Sequence, residues 1–138
     1  MPDIFVHFLP LPKAQQDAIA QGIYDIFAEE LGSKPGHVHT RFPKLGDYYI
    51  GGKEFIVDDL AKDFANATDP EMTPNFRINV ELFPGRSEEK KQEITNKLGA
   101  LVERVTGIPA AKVEMHTSDL HNQNLFIAGG ADWIPNPA

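Results

Sequence analysis

The stretch FRINVELFPGRSEEKK, residues 76–91, spells out a strand, a turn and the start of a helix without interruption. Ile78, Val80 and Leu82 recur at every second position, the period of a strand with one apolar face, and Phe76 to Phe83 is expected to form it. Pro84-Gly85 is a turn. Ser87 suits the N-cap of a helix, where its hydroxyl accepts an otherwise orphaned backbone N–H, and Glu88 and Glu89 in the first turn suit the helix dipole. Ile94, Leu98, Leu101, Val102 and Val105 then form an apolar stripe at helical spacing. Gly107 ends the helix, Pro109 prevents its resumption, and Lys112 to Thr117 reads as a closing strand. The unit is strand–helix–strand.

The first half of the chain carries the same plan about 74 residues earlier. Ile4, Val6, Phe8 and Pro10 match Ile78, Val80, Leu82 and Pro84. Ile19, Ile23 and Ile26 match Ile94, Leu98 and Leu101, and Gly32 and Val38 match Gly107 and Val113. A strand over 3–9, a Pro10-Leu11-Pro12 turn and a helix over 13–31 follow, the helix burying Ile19, Ile23, Ile26 and Phe27 and stopping at Gly32. Residues 37–42 form a second strand, with Val38, Thr40 and Phe42 on one face and His39 and Arg41 on the other. Each half closes on a glycine pair, Gly51-Gly52 and Gly129-Gly130. A helical crossover makes the flanking strands parallel within each unit. The chain thus reads as one domain, 1–138, built from units at about 2–52 and 76–130. Between them lies an acidic connector, 53–75, in which Phe55 to Ala65 can form a short helix before Pro70 and Pro74 impose loop. The tail containing Trp133 is expected to cap another surface.

Composition narrows the function. A net charge of -7 lacks the Lys/Arg clusters that nucleic acid rewards. The absence of cysteine excludes disulfides and thiolate metal sites and fits a reducing compartment. No signal-like leader and no run of about 18 apolar residues is present. A cytoplasmic protein without nucleic-acid or membrane partners is expected.

Two residues carry chemistry. Pro2 follows Met1 directly; with Met1 trimmed, its nitrogen is a free secondary amine, and partial burial would lower its pKa toward the range where a general base works. As a plain strand opener, Pro2 would simply owe no ladder hydrogen bond. Arg86 stands at the turn feeding the second helix, where a guanidinium and backbone N–H groups together receive a carboxylate.

With Pro2 at the start and Phe83-Pro84-Gly85-Arg86-Ser87-Glu88-Glu89-Lys90-Lys91 and Gly107-Ile108-Pro109 in the second half, the chain resembles the tautomerase superfamily. That stretch is similar to the opening of 4-oxalocrotonate tautomerase. The fused length, and Ala18-Ile19-Ala20 through Asp25, look more like the cis-3-chloroacrylic acid dehalogenase branch. The resemblance implies an α+β fold of tandem βαβ units, a four-stranded mixed sheet with two helices on one face, assembled as a homotrimer. It also implies a Pro2 base and an Arg86 that holds the substrate carboxylate, with no cofactor and no metal. Val38/Thr40 and Val113/Met115 leave the strand faces only partly polar, so the sheet face opposite the helices needs cover.

The departures matter. Phe27 stands where the dehalogenases have a first-helix histidine, Phe83 where they have a second arginine, and Ile127 near their water-activating glutamate. The closing strands offer His39 and Glu114 where 4-oxalocrotonate tautomerases place an arginine. His116 aligns with a substrate-contacting tyrosine, and Tyr48 or Tyr49, leading into Gly51-Gly52, can line the pocket. His37 and His39 share a strand face but lack a third ligand, and Gly51-Gly52-Lys53 lacks phosphate-loop spacing. The expected function is a keto–enol tautomerase, an isomerase, acting on a small 2-oxo acid, with Pro2 as base, Arg86 as anchor and Phe27 and Phe83 as apolar walls. The alternatives are a hydratase, dehalogenase or decarboxylase of a small unsaturated or oxo acid, and a non-catalytic scaffold with Pro2 blocked.

Overall fold

The computed structural model describes residues 2–43, 46–55, 59–67, 69–119 and 128. Strand β1, Asp3–His7, leads through Leu11 and Pro12 into helix α1, Lys13–Leu31, and a 3-10 turn at Pro35–His37 leads to β2, His39–Arg41. A hairpin follows, β3 at Tyr49–Ile50 and β4 at Lys53–Glu54, then α2 at Leu60–Ala65 and a 3-10 turn at Pro70–Met72. The second unit is β5, Phe76–Leu82, α3, Glu88–Thr106, a 3-10 turn at Ala110–Lys112, and β6, Val113–Asp119.

The main sheet has the order β2-β1-β5-β6. β1 runs parallel to β2 and β5 parallel to β6, while β1 and β5 are antiparallel. This is the mixed four-stranded α+β fold that the resemblance implied. The register exposes its symmetry: Ile4 lies opposite Val80, Val6 opposite Ile78 and Phe5 opposite Asn79. Phe5 and Asn79 are also partners under the 74-residue offset, so a pseudo-twofold axis passes through that pair.

Both helices cover one face. Ile4, Val6, Phe76, Ile78, Val80 and Leu82 of the sheet meet Ile19, Ile23, Phe27 and Leu31 of α1 and Ile94, Leu98 and Val102 of α3, each at most 2% exposed. Burying such a side chain contributes about 1.5–3 kcal/mol, so this layer dominates stability. Gly32 and Gly107 end the two helices in the left-handed region, φ 66° and 80°. Ser87 caps α3 by accepting the Lys90 N–H at 3.0 Å. The buried Glu30 carboxylate of α1 takes ion pairs from both Lys90, at 2.9 Å, and Lys97 of α3.

Four expectations need correction. Residues 49–54 form a hairpin, so the connector does not begin at 53. Gly51 and Gly52, φ 57° and 78°, supply the two positive-φ positions that a tight two-residue hairpin turn requires. The connector helix is only Leu60–Ala65, started where the Asp59 side chain accepts the Lys62 N–H; Phe55 precedes it as an extended residue packed edge-on to Phe64. His37 belongs to a 3-10 turn rather than to the strand of His39, because Pro35 starts that turn. Val38, Thr40, Val113 and Met115 lie on the helix side, since Thr40 pairs Ile4, Val113 pairs Phe76 and Met115 pairs Ile78. The opposite face is therefore polar apart from Phe5: Asp3, His7, His39, Arg41, Arg77, Asn79, Glu81, Glu114 and His116. Gly129-Gly130, Trp133 and Ile127 lie outside the described residues.

Candidate active site

Pro2 is buried at the head of β1, and its carbonyl accepts the His39 N–H at 3.2 Å. Asp3 pairs Glu81, so one step further along the register Pro2 faces Leu82, the last residue of β5. Phe83 and the Pro84-Gly85-Arg86 turn leave the sheet at this same end, with Gly85 at φ 106° turning the chain. Topology thus gathers a residue from the start of the first unit and a turn from the second. Phe83 is buried, 4% exposed.

Arg86 stands in this turn. Its Nε is buried and has no hydrogen-bond partner among the described residues. Burial pushes its guanidinium pKa below the ordinary value. A buried unpaired donor costs about 1–3 kcal/mol, more for a charged group, so the arrangement is poised to take up an anion. The first N–H groups of α3, beside it, add to the positive potential.

His39 stands next to Pro2 with an exposed ring. Its Nε2 is 2.9 Å from the Gly36 carbonyl, and its Nδ1 is 3.6 Å from the Asp3 carboxylate. The same Asp3 oxygen is 3.5 Å from Arg41, whose guanidinium lies 5.2 Å over the Phe5 ring. Asp3 was missed in the sequence. The signal was an acid beside the proline, one strand pairing from two basic side chains at alternate positions.

The other expected site residues are elsewhere. Phe27 is in the core, fully buried between α1 and the sheet, and offers no wall to a ligand. Its i+8 spacing from Ile19 had already put it on the buried stripe. His116 sits midway along the edge strand β6 on the open face, opposite Asn79 and 3.2 Å from Glu114. Tyr48 lies at the far end of the sheet, in a cleft with His7 and Arg77. No group of three or more potential metal ligands occurs among the described residues.

Residues 77–131 match the family model described as Tautomerase enzyme. A comparison with curated proteins found no match. Among solved structures, Pt0534 inactivated by 2-oxo-3-pentynoate is similar with a TM-score of 0.68 and 20% identity, over 95% of this chain and 94% of that one. Native fused 4-OT gives 0.67 and 18% over 95% and 94%, and the macrophage migration inhibitory factor of Toxoplasma gondii gives 0.65 and 20% over 92% and 95%. The second unit thus matches a tautomerase family model by sequence, and the whole chain shares the fold of these structures. Among the described residues no helix is long and apolar enough to cross a membrane.

Proposed function

We propose that the protein is a cofactor-independent keto–enol tautomerase acting on a small 2-oxo acid or its enol. The observation that carries this reading is the buried, unpartnered Nε of Arg86 at the Pro2 end of the sheet. With Met1 removed, the Pro2 nitrogen is a secondary amine, and the burial of Pro2 disfavours its charged form. The neutral amine takes the proton from the enol oxygen and delivers it to the neighbouring carbon, giving the ketone; the reverse direction takes it from carbon. Arg86 holds the carboxylate, Phe83 excludes water, and His39 lines the entrance beside Asp3. The 2-oxo acid class gains support from Pt0534, a fold relative that 2-oxo-3-pentynoate inactivates.

A hydrolytic dehalogenase needs a second cation and an acid to activate water. Phe83 occupies the first position as a buried apolar ring, which favours the simpler proton shuttle. We read residues 1–138 as one cytoplasmic domain that assembles as a homotrimer, as the fused 4-OT structures do.

Kinetics of enol-pyruvate ketonisation test the roles. Arg86→Ala should lower kcat/KM about 10- to 150-fold, chiefly through KM, the value of one charged contact of about 1.5–3 kcal/mol. Pro2→Ala leaves a primary amine of different basicity and geometry and should lower kcat in a folded protein. Two variants as fast as the parent would defeat the assignment.

A further inference from the structure

The residue that follows the proposed base is an acid. Asp3 lies one peptide from Pro2. Consecutive Cα atoms are about 3.8 Å apart, so covalent geometry alone keeps the Asp3 carboxylate within about 9 Å of the Pro2 nitrogen. That is comparable with the range over which charges still act on each other at physiological salt. Unopposed, a carboxylate this near favours the ammonium form of the amine, and a protonated Pro2 is no base.

The carboxylate is opposed. Arg41 Nη1 stands 3.5 Å from Asp3 Oδ1, and its guanidinium lies 5.2 Å from the centre of the Phe5 ring. The His39 ring is 3.6 Å from the same oxygen and adds a second positive charge when protonated. The register brings them there: His39 pairs Asp3 and Arg41 pairs Phe5 on the parallel neighbour β2. Other charges at this end are Glu81, opposite Asp3 on β5, Asp119, opposite Leu82 on β6, and Arg86 in the turn. From the helices, Glu30 of α1 is taken by Lys90 and Lys97 of α3. The Asp3 cluster lies on the sheet face toward which copies pack in the proposed trimer, but its distances lie within one chain and its effect needs no exposure.

We propose that Asp3 and Arg41 form an opposed pair that sets the proton affinity of the Pro2 amine, Asp3 raising it and Arg41 lowering it. The inference rests on the reading of Pro2 as the base. Both are positioning residues that act through Pro2 rather than on the substrate. Together they fix where, on the acid side, the ketonisation rate begins to fall.

Nitrogen NMR of the Met1-trimmed protein, labelled in its prolines, titrates Pro2 directly and without substrate. Asp3→Asn should lower the proton affinity of Pro2 about threefold or more, the scale of one unit charge at this distance in a largely aqueous medium. Arg41→Gln should raise it by a comparable factor. The double variant should return close to the parent, because the two charges removed are opposite. All other charges, in the chain or in a neighbouring copy, are common to proteins of equal mass by light scattering and drop out of the difference. The acid limb of kcat/KM should move with the titration. An unchanged Pro2 titration in Asp3→Asn would overturn the proposal. So would shifts of the same sign in both single variants, which is what a merely disturbed strand pair would give. A parent whose Pro2 titrates as expected, with variants that shift as expected, but which ketonises nothing would uphold this inference and remove the tautomerase reading instead.

Discussion

At the residue scale, the candidate site rests on a buried proline at the head of a strand and an arginine Nε with no hydrogen-bond partner among the described residues. Phe83 decides what chemistry they can do. As a buried ring it supplies no second cation, so robust chloride release from 3-chloroacrylates is not expected. Turnover in the ordinary enzymatic range of ~1–1000 per second, read with a chloride electrode, would show that a second cation reaches the site after all. The places of Pro2, His39, Phe83 and Arg86 in the fold were legible because local chemistry fixes each: a strand head, a strand pair, a strand end, a turn. That Phe27, Tyr48 and His116 lie away from the Pro2 end was not legible, because neighbours in three dimensions could not be counted from spacing. Phe27 belongs to the helix stripe, and Tyr48 to a hairpin whose direction depends on two positive-φ glycines.

At the element scale, the two long helices were readable almost to the residue, because proline, serine and glycine punctuate them. The contact between them was not. Gly22 of α1 lies so close to α3 that a Cβ there would come within 2.3 Å of Leu101 Cδ1, which explains a glycine that costs about 1 kcal/mol in a helix interior. The charged clasp between the same helices gives a testable pH dependence. Hydrogen bonds from Lys97 and then Lys90 hold the Glu30 carboxyl below its ordinary value of 4.5, and the Glu30 hydrogen bond raises both lysines above 10.5. A lowered acid stabilises the fold above its unfolded pKa and loses that contribution as pH falls through the folded one. Raised lysines stabilise below their unfolded pKa and lose it as pH rises through the folded one. Chemical denaturation should therefore show stability falling below about pH 4.5 and above about pH 10.5, with both slopes shallower in Glu30→Gln. Identical profiles for parent and variant would mean the clasp contributes nothing measurable.

At the scale of the whole molecule, the repeat revealed the duplication but not its consequence. Only the β1–β5 register shows that the two units face each other about an axis, with the Pro2 end and the Arg77 end as unequal counterparts. The open sheet face is likewise unlike the reading from strand composition. It is polar, with ion pairs Asp3–Arg41 and Arg77–Glu114, so copies packing there must match charges rather than merely hide apolar surface. Asn79, near the axis, keeps a buried side-chain Oδ1 without a hydrogen-bond partner among the described residues. Light scattering should give three times the 15.3 kDa chain mass, falling toward one chain when Arg41 and Arg77 are both replaced by Glu. A parent protein that scatters as a single chain would remove the trimer from the account.

The central claim is that a free Pro2 amine is the base, and removal of one residue tests it most directly. Two preparations differ only in Met1, their state verified by intact mass. In the trimmed protein the Pro2 nitrogen is a basic amine; with Met1 retained it is an amide and cannot accept a proton at neutral pH. The account predicts enol-pyruvate ketonisation by the trimmed protein, falling as acid protonates the amine, and loss of that activity in the Met1-bearing chain. Equal rates from the two preparations would contradict it.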